Sequence, residues 1–175
     1  MTTVRAAAPL ALSLALLAPA TAHAYEDQVG LALGLGYAVI PSDTPLPQHG
    51  VVLQAEAGFG LGDTWELRAL AGYAVHIDDE PLHRIHIGAE LVYLVDILEV
   101  VPFFGIGVDL PITIHPGVVD VADFAGHAVV GIDWLLSREF ALGVEARPYV
   151  LFTRLGADAP VWITAVIRAQ MLFEI

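Results

Sequence analysis

The chain has no cysteine, no lysine and no asparagine. Without cysteine it can hold no disulfide and no thiolate site. Without asparagine it carries no N-glycosylation sequon. All seven basic residues are arginine, set against 20 Asp and Glu, for a net charge of -13. That balance repels phosphate backbones and argues against nucleic acid as a partner. Charge of either sign is scarce, at 15% of residues. Beyond the N-terminal segment no stretch approaches the 18 consecutive apolar residues of a membrane-spanning helix. Serine is also sparse there, with Ser42 and Ser137 alone.

What the chain does have is apolar bulk and helix breakers. Hydrophobic residues make up 57% of its 175 residues, alongside 16 Gly and 11 Pro, and mean hydropathy is +0.69. This composition argues against long helices. Arg5 precedes an apolar run over residues 6–20, which ends at Ala22-His23-Ala24. A basic start, a short apolar core and an A-x-A-like site predict a cleaved signal peptide over residues 1–24. Residues 25–175 then form one domain.

Within that domain hydrophobicity alternates with the period of a β-strand. In VGLALGLGYAV, residues 29–39, the odd positions are bulky and the even ones are Gly or Ala. The pattern predicts eight strands, at about 28–40, 51–61, 65–76, 84–96, 101–110, 124–135, 140–152 and 161–175. Strands of ~11 residues, tilted near ~45°, span the ~25 Å apolar band of an outer membrane.

The two faces of these strands differ sharply. One face takes odd positions in the first four strands and the last, and even positions in the other three. It carries no charge and little besides aliphatic and aromatic residues. The opposite face is rich in Gly and Ala and carries Glu56, Glu66, Arg68, Glu90, Asp96, Asp109, Asp133, Glu145, Arg147, Arg168 and Glu174. A water-soluble barrel would place its charges outside. Small residues mixed with charges fit the crowded inside of a narrow barrel, which leaves the bulky face to lipid. Closure follows, because an open edge in lipid leaves backbone groups unpaired. The expected fold is therefore an all-β, eight-stranded, antiparallel up-and-down transmembrane barrel in the outer membrane.

Aromatic positions agree with two interfacial girdles. Phe59, Trp65, Tyr93, Phe104, Trp134, Phe140 and Phe173 fall toward the end that carries the termini. Tyr37, Tyr73, Phe124 and Phe152 fall toward the other. With an even strand number both termini are periplasmic. The turns on that side are short, at 62–64, near 96–99 and near 137–139. The outer loops, at 41–50, 77–83, 111–123 and 153–160, are longer. Pro148 removes a ladder donor within the seventh strand, which predicts a bulge or fraying there.

VGLALGLGYAV, VPFFGIGVDL, GHAVVGIDWLLSREFALGVEARPYV and the closing VIRAQMLFEI together resemble the small eight-stranded outer-membrane barrels, the OmpA-transmembrane, OmpX and OmpW-like group. The resemblance covers the whole domain and implies fold, not chemistry. It also implies that the last strand is read by the barrel-assembly machinery. Ile167, Ala169, Met171 and Phe173 keep the outward alternation for that, although the chain ends at Ile175 instead of an aromatic residue.

The candidate site is the lumen. Glu56, Glu90 and Glu145 stand against Arg68, Arg147 and Arg168 at mid-depth, and buried charges must pair. A salt-bridged plug is the expected arrangement, in a barrel with a structural or envelope-interaction role. A narrow or gated pore for small or apolar solutes is the alternative. Toward the outer rim His76, His86, Asp109 and His127 face inward. They are weak candidates for a divalent cation, with no spacing that matches a metal signature. No cofactor is implied. No enzyme is expected either, since neither Ser42 nor Ser137 has a histidine in a His-x-Ser arrangement. The expected surroundings are outer-membrane lipid and lipopolysaccharide, and the expected state is a monomer. The acidic outer loops carry Asp43, Asp78, Asp79, Glu80, Asp120, Asp123 and Asp158 against Arg154.

Overall fold

A computed structural model of the chain describes residues 28–41, 48–95, 99–115, 118–119, 123–156 and 160–174. The expected signal peptide, Ser42, Asp43, Asp96, Asp120, Asp158 and Ile175 lie outside the described residues. Among the described residues the elements are β1 (Gln28–Val39), β2 (His49–Gly60), β3 (Trp65–His76), β4 (Leu82–Leu94), β5 (Val100–His115), a two-residue β6 (Val118–Val119), β7 (Ala125–Leu135), β8 (Phe140–Leu151) and β9 (Val161–Glu174). A short 3-10 turn at Phe152–Arg154 follows β8.

Each long strand pairs antiparallel with its sequence neighbours, and β5 pairs with β7 across the β6 excursion. β1 also pairs with β9, from Gln28 opposite Glu174 to Val39 opposite Ile163. The sheet therefore closes into an eight-stranded up-and-down barrel.

Alternation decides what each residue faces. Leu33 is 66% exposed and Ile167 68%, while their chain neighbours Ala32 and Val166 are buried. The same phase holds around the barrel, with odd positions outward in β1–β4 and β9 and even positions outward in β5, β7 and β8. Large apolar side chains cover the outside on every long strand. Trp65, Tyr93 and Phe104 form one contiguous aromatic row near the termini, with centroids 5.1 and 5.4 Å apart. Phe124 and Phe152 pair at the loop end, 5.8 Å apart.

One expectation changes and another is narrowed. The predicted loop at 111–123 is partly strand, because β5 runs on to His115 and β6 folds back on it. Pro111 argues against strand in a sequence reading, since it has no N–H. It sits where β7 has already ended, and its carbonyl accepts from the Asp123 N–H at 2.8 Å. Val108, Ile112, Thr113 and Ile114 favour the extended chain. At Pro148 the structure shows local fraying and not a bulge. The β7–β8 register is the same on either side of it, and only Ala128 and Val129 lose their partners on β8. On its other side Pro148 keeps its place opposite Ile163. The gap leaves a shallow outer depression of about 430 Å³, lined in part by Gly126, Ala128, Pro148 and Phe152.

Glycine is required where strands crowd or turn. Gly62 takes φ of 87° in the β2–β3 turn, a backbone that L side chains avoid. At Gly36 a Cβ would lie 2.0 Å from the Ala165 carbonyl oxygen across the β1–β9 seam. Gly36→Val is expected to destabilise the barrel by about 1–3 kcal/mol or to prevent closure. Leu35→Val, one residue away on the outer face, should stay within roughly 0.5 kcal/mol. Urea unfolding in detergent, with heat-modifiable gel migration as the readout of closure, checks both.

Candidate functional site

The side chains of the lumen form three layers. Nearest the termini Val92, Leu94, Val101, Phe103, Val129 and Leu172 form a buried apolar cluster. At the loop end Ala38, Ile40, Val52, Ala74, Leu82, Tyr149, Trp162 and Val166 form another. Between them lies the charged layer. Its side chains come from alternate positions on facing strands, which is why the strand period alone gathers them.

Arg147 on β8 is the hub. Its Nη2 donates to Glu56 Oε1 of β2 at 2.6 Å and to Glu90 Oε1 of β4 at 2.9 Å. Its Nε donates to Glu90 Oε2 at 3.0 Å, and its Nη1 bonds Glu145. Arg168 on β9 donates from Nη1 to Glu56 Oε2 at 2.7 Å and grips Asp133 of β7 with Nη2 and Nε, at 2.5 and 3.1 Å. Glu56 thus bridges two arginines. Arg68 on β3 pairs with Glu66 at 2.7 Å and lies 3.7 Å from Glu90. Its guanidinium also stacks over Phe103, 4.5 Å from the ring centre, and Arg168 does so at 4.9 Å. Gln54 donates to Glu145 Oε1 at 3.0 Å. These arginines, Glu90 and Asp133 are at most 2% exposed, Glu145 is 5% exposed and Glu56 7%.

The structure thus brings Glu56, Arg68, Glu90, Glu145, Arg147 and Arg168 into one connected cluster. It also enlarges the acidic side, since Glu66, Asp133 and Asp109 join it. Three arginines then face six carboxylates, and the equal count expected from mid-depth residues does not describe the whole layer. Part of the difference falls on His127. Its Nε2 lies 2.9 Å from Glu90 Oε2, and its Nδ1 bonds Asp109. A neutral imidazole donates from one nitrogen only. Holding two carboxylates therefore takes a second proton, on the ring or on one of the acids.

The four rim residues considered for a cation do not converge. His127 and Asp109 meet, but His86 packs edge-on against Trp162, 5.0 Å away, and 5.9 Å from Tyr149. His76 is buried on β3 opposite Leu82. Among the described residues no group of three or more His, Asp or Glu side chains could hold a metal ion. The Tyr149 ring packs against both His86 and His127, with ring centres 5.9 and 5.1 Å away. Sequence reading does not single out Arg84, Tyr149 or Trp162. Their inward phase is legible, but Arg84 begins a predicted strand, and a lumen rich in Gly and Ala gives no hint of buried rings. Ser137 lies in the β7–β8 turn, where its Oγ accepts from the Glu139 N–H at 3.2 Å.

Several solved structures share this architecture. Neisserial surface protein A superposes with a TM-score of 0.65 at 12% identity, over 86% of this chain and 98% of that one. The N-terminal β-barrel domain of Pseudomonas aeruginosa OprF gives 0.61 at 11%, over 85% and 98%. The fold is that of the small eight-stranded outer-membrane barrels. The outer membrane enzyme PagL shares it too, with a TM-score of 0.51 at 15% identity over 83% of this chain and 99% of that one, so the fold does not decide the role. No family model matches the sequence, and no curated protein matches it significantly.

The barrel's charged layer generates a graded prediction. Arg147→Met leaves Glu56, Glu90 and Glu145 short of a buried partner and should cost ~3–5 kcal/mol. Arg154→Met removes a partly exposed pair with Asp123, where the arginine side chain is 33% exposed, and should cost less than about 1 kcal/mol. Urea titration of both variants in the same detergent measures the difference.

Proposed function

We propose that this protein is an outer-membrane barrel with a plugged lumen, serving a structural or envelope-interaction role. The observation that carries the reading is the cross-barrel arginine network. Arg147 ties β8 to β2 and β4, and Arg168 ties β9 to β2 and β7. An eight-stranded barrel has room for its own side chains or one small ligand, not for an open channel. A solute passing through would have to break several buried ion pairs at once, each costly to leave unpartnered.

The apolar outside supports the membrane assignment. Leu33, Leu35, Leu53, Ile106, Val130, Val144 and Ile167 are all more than half exposed, and a water-facing surface of that kind would aggregate. On this reading the chain is exported, both termini are periplasmic, and its surroundings are membrane lipid and outer-leaflet lipopolysaccharide. The last strand is what the assembly machinery reads. The acidic rim residues Asp78, Asp79 and Glu80 face the medium. We assign no catalytic role, because Ser137, the one serine among the described residues, is engaged in a turn.

Single-channel recording of the purified barrel in a planar bilayer tests the plug. Silence from a folded sample is the expected result. Discrete, reproducible conductance steps would make the narrow-pore reading the correct one. The membrane assignment has its own test. Ile167→Arg places a cation on the lipid-facing side and should destabilise the inserted barrel by ~2–4 kcal/mol. Unfolding of the variant from lipid vesicles measures this, and an unchanged midpoint would show that Ile167 does not face hydrocarbon.

A further inference from the structure

We propose that the loop end of the lumen, above the charged layer, holds a binding site for a small oxyanion, a carboxylate or phosphate free in solution. The site is built around Trp162 of β9. Tyr149 stacks on it with ring centres 4.3 Å apart, His86 meets it edge-on at 5.0 Å, and the Arg84 guanidinium lies over its ring at 4.9 Å. All four side chains are buried, with Arg84 the most exposed at 3%.

Several of their polar atoms have no partner among the described residues. Trp162 Nε1, Tyr149 OH, Arg84 Nη1 and both ring nitrogens of His86 make no hydrogen bond within the described residues, and neither does the nearby Thr164 Oγ1. Arg84 has one bond, from Nε to Thr113 Oγ1 at 3.3 Å. Buried polar groups are satisfied in nearly every folded protein, so this cluster calls for a partner from outside the chain. Its chemistry sets which kind. Indole N–H and guanidinium only donate, and hydroxyl and imidazole can donate. The complement of clustered donors carrying a positive charge is an oxyanion.

Surrounding charges point the same way. Among the described residues no carboxylate lies within ion-pair distance of Arg84, and Asp123 acts on it only from farther away. Beneath it, Glu90 is engaged by Arg147 and Asp109 by His127. At the rim, Asp123 is taken by Arg154 at 2.7 Å and Thr153 at 2.6 Å. Arg147 and His127 face the cluster from below. The site lies inside the barrel wall, out of reach of lipid headgroups, and the charged layer fills the lumen beneath it. The ligand therefore enters from the loop end.

The protein carries its own reporter. It has three tryptophans, and Trp65 and Trp134 are exposed on the outer face. The double variant Trp65→Phe/Trp134→Phe leaves Trp162 as the sole emitter, with the site intact. Sodium acetate and sodium phosphate are titrated into this folded barrel, with sodium chloride at matched ionic strength as the control. A saturable change in Trp162 emission is expected, accompanied by a rise in melting temperature. Adding Arg84→Gln should weaken it roughly tenfold or more, since a charged hydrogen bond is lost. Folding of that variant is checked by gel migration. If it does not close, Thr164→Val replaces it, with the same expected direction. A response that does not saturate, that chloride reproduces, or that survives loss of the donor would overturn the proposal. The outcome is independent of whether the barrel conducts.

Discussion

A sheet that stays open leaves a row of N–H and C=O groups unpaired along each edge, and in an apolar environment each such group is costly. In this chain β1 meets β9 over its whole length, from Gln28 to Val39. With that seam made, every long strand has two neighbours. The seam also dictates local residue choice. Gly34 and Gly36 face inward where β1 runs against Val166 and Ala165, and a Cβ at either would collide within 2.4 Å. Closure thus asks for small residues at the seam, and those residues supply no driving force of their own.

A closed barrel of eight strands has a narrow lumen, and the narrowness sets the chemistry inside. Arginine side chains are long enough to cross it. Arg68, Arg147 and Arg168 each meet carboxylates from two or more strands, so the bonds that satisfy the charges also brace the wall. Arg168 reaching Glu56 spans strands far apart in sequence, β2 and β9, and Arg147 reaching Glu90 joins β8 to β4. Buried pairs of this kind add less stability than an apolar core of equal volume would. What they add is a single arrangement, since a register slip would turn every one of these charges toward the apolar outside.

The lumen is chemically graded along its axis. Apolar side chains lie nearest the termini, carboxylates outnumber arginines in the middle, and donors without a partner among the described residues lie at the loop end. His127 stands at the upper boundary, holding Asp109 and Glu90 together. The excess of acid in one layer and of donors in the next gives the interior a polarity that a uniform plug would lack. It also separates two questions about function. Whether solutes cross depends on the middle layer, and whether a solute binds depends on the layer above it.

The alternation of residues 29–39 and its seven counterparts determined the strands, the face each presents and the charges that turn inward, because side-chain period is a local property of an extended chain. Even the phase change between β4 and β5 is legible in Tyr93 and Phe104. Partnership is not local. Nothing in the sequence says that Arg168 will hold Asp133, that Glu56 will serve two arginines, or that Tyr149 and Trp162 will stack between His86 and the rest of the rim. Those outcomes depend on the shear of the closed sheet, which decides the height at which each inward residue arrives. Pro111 and Pro148 illustrate the same limit. Both break a ladder in principle, but which side of the strand faces the missing donor is decided only when the neighbouring strands are in place.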